Sequence, residues 1–65
     1  MTSKAYKERL RASWMGLFEQ AVISKRPDLA GKIDWDTATF MFNRGDYASD
    51  AAFKYVESVK DMESL

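Results

Sequence analysis

A chain of 65 residues has room for one hydrophobic core and no more. It holds ten basic and ten acidic side chains but no cysteine and no histidine, which excludes disulfides, zinc–thiolate sites and any catalytic system built on either residue. No apolar run approaches the roughly 20 residues of a membrane span, and the basic N-terminus lacks the apolar stretch of a secretory leader.

The composition predicts one all-α domain covering 1–65, a compact three-helix fold with helices at about 4–26, 35–44 and 47–62 and a short turn at 27–31. In the first segment Tyr6, Leu10, Trp14, Leu17, Phe18 and Ala21 recur at helical spacing. Met15 and Val22 widen this stripe to nearly half the circumference, which suits a helix touching two neighbours. Ile23 falls outside it. Ser3 is the expected N-cap. Gly16 lies mid-helix, at a cost of about 1 kcal/mol relative to alanine, and points to a close helix crossing or a bend. Pro27 ends the helix by driving Arg26 out of the α region.

Between Pro27 and Gly31 the order proline first, glycine last predicts a single helical turn with Leu29 pinned inward. Asp34 is the expected cap of the second helix, with Asp36 in its positively polarised first turn and Ile33 packing towards Ala38 as a staple. Trp35, Ala38, Met41 and Phe42 share the inward arc, whereas Phe40 points elsewhere. Gly45 is placed as the left-handed residue after Arg44. The third helix is expected to be capped by Asp46 or Ser49 and to bury Ala48, Ala51, Ala52, Tyr55, Val56, Val59 and Met62. An Asp50–Lys54 pair should support it from outside. Phe53 lies off its apolar face.

Chemistry is sparse. The remaining acids sit where helix starts want them, no EF-hand loop or glycine-rich phosphate loop is present, and neither a catalytic site nor a bound cofactor or metal is expected. The second and third helices joined at Gly45 have the outline of a DNA-binding helix-turn-helix. The would-be recognition helix, however, carries Asp50, Glu57, Asp61 and Glu63 against Lys54 and Lys60, which repels phosphates.

Charge is split along the chain. Residues 1–32 carry seven Lys/Arg and three Asp/Glu, and residues 33–65 carry three and seven, so the halves are +4 and −4. The basic and acidic halves are expected to face each other, within the fold or across a dimer.

Gly45-Asp46-Tyr47 followed by Ala51, Ala52 and Tyr55 resembles the middle of a tetratricopeptide repeat, with Asp50 where that pattern has alanine. A single repeat cannot bury its own core. Ala5-Tyr6-Lys7-Glu8-Arg9-Leu10 resembles a stretch in the theta subunit family of bacterial replicative polymerases, small helical proteins that bind the proofreading subunit. Glu19-Gln20 and Pro27 to Leu29 follow with a gap. The resemblance covers less than half of the chain and implies no more than the existence of small helical accessory subunits.

The functional expectation is a small cytoplasmic accessory protein, non-catalytic, acting by binding another protein or a second copy of itself. Phe40, Phe53 and Ile23, left outside the three stripes, are the candidate partner-binding residues. The alternative is a nucleic-acid-binding protein using Lys4, Lys7, Arg9 and Arg11 on the first helix.

Overall fold

The structure is a computed structural model that describes residues 2–63, with residues 2–4 described by backbone alone. It is all-α: α1 spans Thr2–Lys25, a 3₁₀ turn Pro27–Leu29, α2 Trp35–Arg44 and α3 Ala48–Glu63. The three-helix reading holds, with the bounds of α2 as expected and those of α1 and α3 within two residues of the expected ones. Because α1 starts at Thr2, Ser3 lies inside the helix and does not cap it.

Each boundary has a local cause. At Arg26 the backbone turns to φ −138°, ψ 81°, as the following proline demands, while its N–H still bonds the Val22 carbonyl at 2.7 Å. Asp34 caps α2: Oδ1 accepts from the Asp36 and Thr37 N–H groups at 3.1 and 3.4 Å, and Oδ2 accepts from the Thr37 hydroxyl at 2.9 Å. These bonds hold the Asp34 carboxyl below its ordinary range, the Thr37 hydroxyl contributing most. At the other end Gly45 takes φ +92°, which a side chain would resist. The Gly45 N–H reaches the Phe42 carbonyl and the Asp46 N–H reaches that of Met41, closing a Schellman motif.

The expected caps of α3 are not used. Its ladder opens on the Tyr47 carbonyl, which accepts from the Ala51 N–H at 2.8 Å. Ser49 is already helical. The Asp46 carboxylate is held by Arg44 and, at 3.6 Å, by Lys54, so Lys54 looks back to the turn rather than to Asp50.

The paired positions give the topology. Phe18–Trp35 and Trp14–Phe42 run in opposite senses on α1 and α2. Trp14–Asp46, Phe18–Tyr55 and Arg26–Glu63 rise together on α1 and α3. The path is therefore up, down, up.

One core holds the helices: Phe18, Val22, Leu29, Ile33, Ala38, Met41, Ala51, Ala52 and Tyr55. Phe18 is its centre, stacked on Trp14 with centroids 5.2 Å apart and meeting the edge geometry of Tyr55 at 5.5 Å. Two polar links lock it from the sides. Trp14 Nε1–H donates to the Asp46 carbonyl at 2.8 Å, and the Tyr55 hydroxyl accepts from the Asp34 N–H at 2.9 Å. Outside, Arg26 grips Asp28 and Glu63 together, tying the 3₁₀ turn to the end of α3. Through the Arg26–Glu63 pair the basic and acidic halves meet within the fold.

Several apolar expectations fail at the edges. Tyr6, Leu10, Leu17, Trp35 and Met62 were predicted to face inward, yet all are exposed. For Tyr6 and Leu10 the reason is the length of α1. A helix of 24 residues is about 36 Å long, against about 15 Å for the ten residues of α2. The molecule measures 47 × 19 × 16 Å, and the first turns of α1 extend along the long axis past what two shorter helices cover. Nor does Gly16 mark a close crossing: a Cβ placed there meets no atom of a neighbouring element within 4 Å.

Candidate interaction surface

Phe40 stands on α2, 140° round from Trp35 by helical rotation and opposite the buried Ala38, and is 61% exposed. The Arg44 guanidinium covers one side of its ring, 5.3 Å from the centroid. Phe53 stands on α3 and is 57% exposed, with the Lys25 ammonium 5.9 Å from its centroid. The rings thus have separate surroundings. Arg44 bonds to Asp46 at the α2–α3 corner, which Lys54 also approaches, whereas Phe53 looks to the C-terminal end of α1. Residues 53 and 54 leave the helix about 100° apart, so Phe53 looks away from the corner that Arg44 and Lys54 share. Ile23, the third expected residue, is half-buried.

Among the basic residues, Lys7, Arg9 and Arg11 lie on the exposed N-terminal half of α1. The side chain of Lys4 lies outside the described residues. Arg11 Nη2 donates to the Thr39 hydroxyl at 3.0 Å, which leaves its charge unneutralised. Among the described residues, no acid lies within ion-pair distance of Lys7 or Arg9. The acids Asp28 and Asp46 are consumed elsewhere, their carboxyls held low by Arg26 and Arg44. Asp34 is likewise occupied as a cap, so the acids at helix starts do structural work here.

The more continuous surface is one that the sequence pattern had assigned to the core. Tyr6, Leu10 and Leu17 leave α1 within about 40° of one another. Leu17 is 64% exposed, and beside it Tyr47, at the entry to α3, is 78% exposed. Leu17, Gln20, Ala21 and Ser24 from α1 and Tyr47, Ala48 and Ser49 from α3 bound an open groove of about 650 Å³ without a charged residue in its lining. A smaller groove of about 370 Å³ on the α2 side of α1 is lined by Glu8, Arg11, Ala12, Met15, Trp35 and Thr39 and is mixed in character.

The signal for the larger surface was present in the breadth of the α1 stripe. Trp14, Phe18, Val22 and Met15 occupy its far arc and pack, while Tyr6, Leu10 and Leu17 occupy its near arc and do not. Comparison with known protein families, characterised proteins and solved structures returns no match, so the surfaces are read from their own chemistry.

Proposed function

We propose that this chain is a small non-catalytic interaction or regulatory accessory protein of the cytoplasm, acting by binding another protein or a second copy of itself. The observation that carries the reading is the exposed apolar surface. Tyr6, Leu10, Leu17, Phe40, Tyr47 and Phe53 stand in solvent around a core of nine buried residues. Exposed apolar surface of this extent on so small a body favours association, and a bound partner adds stability that a short chain with no cross-link lacks.

Affinity capture from a native lysate, read by mass spectrometry, tests it. The wild-type chain is compared with Leu17→Asp and with Phe40→Ser/Phe53→Ser. A captured protein reduced about tenfold or more by one of these variants is the expected result. Equal recovery by all three chains, together with a monomeric wild type, refutes the reading.

A second reading has its own observation: Lys7, Arg9 and Arg11 project from exposed turns of α1 with no acid paired to them among the described residues. With Lys4 they would contact phosphates of a nucleic acid. A gel shift that fades steeply with salt and is lost in Arg9→Glu/Arg11→Glu supports this alternative, and no shift at low salt ends it.

A further inference from the structure

We infer that the near face of α1 pairs with the same face of a second copy in antiparallel orientation, Tyr6 of each copy entering the groove beside Leu17 and Tyr47 of the other. This deepens the binding reading above and rests on it.

The spacing on α1 is the first support. Tyr6, Leu10, Ser13, Leu17, Gln20 and Ser24 alternate by four and three residues, the repeat of a coiled-coil seam. Every one of these side chains is exposed in the single chain, so the seam is continuous along α1 and open. A seam of two leucines and a tyrosine among small and polar residues is weak by itself. The groove gives it a specific partner surface.

An antiparallel two-fold axis at about residue 15 sets Leu10 on the partner subunit's Gln20, Ser13 on the partner subunit's Leu17 and Tyr6 on the partner subunit's Ser24. That last position is in the wall of the groove that Tyr47, Ala48 and Ser49 complete. The small Ser13 and Ser24 side chains leave space for Leu17 and Tyr6, the larger knobs opposite them. Such an interface is isologous, because each copy supplies the same knob and the same groove.

Charge selects the antiparallel sense. Parallel pairing would lay the Lys7–Arg11 turns of both copies side by side, each bringing three basic residues against the single acid Glu8. Antiparallel pairing moves them apart and brings each set beside α3 of the other copy, whose solvent side carries Asp50, Glu57 and Asp61 against Lys54. The +4 and −4 halves of the chain, joined within the fold through Arg26 and Glu63, thereby also meet across the pair. The area is sufficient as well. Tyr6, Leu10, Leu17 and Tyr47 expose on the order of 500 Å² of side chain per copy. The stems flanking the seam bring this towards the ~800 Å² per partner of a standard interface.

Sedimentation equilibrium of the wild-type chain from about 1 to 200 µM tests the pairing. The expected result is a dimer dissociating in the micromolar range, with Leu17→Asp raising the dissociation constant about tenfold or more. Helical circular dichroism of that variant should be unchanged, because Leu17 is exposed in the single chain. Since the chain lacks cysteine, oxidative cross-linking gives the orientation: a mixture of Leu10→Cys and Gln20→Cys chains should yield the mixed covalent dimer. A wild-type chain that stays monomeric to 200 µM overturns the inference, as does efficient self-cross-linking of Ser13→Cys, the signature of parallel pairing. A monomer that still captures another protein through Leu17 discards the self-pairing alone and leaves the binding reading standing.

Discussion

Replacing Gly16 by alanine should stabilise the protein, and the structure gives the size of the gain. Glycine in a helix interior costs about 0.8–1.0 kcal/mol relative to alanine, chiefly through the freedom it has in the unfolded chain. A close helix crossing would offset that gain, because the new methyl group would strike its neighbour. Here the added Cβ meets no atom of another element within 4 Å, Gly16 has a helical backbone, and the position is exposed. Gly16→Ala should therefore raise the unfolding free energy by about 0.5–1 kcal/mol. For a domain of this size that lifts the melting temperature by roughly 2–8 °C. Thermal and urea unfolding followed by circular dichroism at low micromolar concentration measure both. An unchanged or lowered stability would refute the reasoning and place a neighbour against Gly16 after all.

Asp34→Ala removes the acceptor of two backbone N–H groups and one hydroxyl, and should cost about 1–2 kcal/mol in urea unfolding, whereas Asp34→Asn should recover most of it because asparagine caps nearly as well. Asp28, Asp34 and Asp46 all have folded-state pKa values below the ordinary carboxylate value of about 3.9, so their stabilising contribution is complete above that pH and falls away as pH drops through the lower folded values. Stability should decline below about pH 4, less steeply in Asp34→Asn, and a pH series of urea midpoints that is flat from pH 5 to pH 2 would contradict the bonding described. Trp14→Phe leaves the Asp46 carbonyl without its 2.8 Å donor in a half-buried position and should cost about 1–3 kcal/mol, with the loss seen by the same unfolding assay.

The elements were legible in the sequence because their punctuation is strong and local. Pro27, Asp34 and Gly45 each act through one backbone rule, and the structure uses all three as expected. The caps of α3 were not legible, because Asp46 has a competing use. Sequence proximity to a helix start does not reveal that Arg44 and Lys54 will claim the carboxylate. Helix wheels identified Phe40 and Phe53 as outside the core, and both are exposed. They could not show that the two rings have separate surroundings, Arg44 over one and Lys25 over the other, since this depends on how the helices cross. The exposed α1 seam was missed for the opposite reason. Periodicity shows that a face is apolar, not what covers it, and three apolar residues on a long helix read the same whether the neighbour is in the same chain or in another.

The relative lengths of the helices explain why the apparent excess of apolar residues falls on α1. In a three-helix fold the longest helix can bury only the length its neighbours span, and α2 returns along α1 for ten residues before Gly45 reverses it. Trp14, stacked on Phe18 and bonded to the α2–α3 turn, marks the level at which the core ends. Below it α1 is held by α2 alone, through contacts such as Arg11 to Thr39. A helix of this length draws most of its stability from packing rather than from propensity, so the turns before Trp14 are the part of α1 most prone to fray. Those turns carry Tyr6, Leu10 and the unneutralised Lys7 and Arg9. The segment with the most to gain from a partner is thus also the segment that presents one with apolar and charged contacts. Binding there would raise stability in proportion to partner concentration, which makes the melting temperature itself a readout of association.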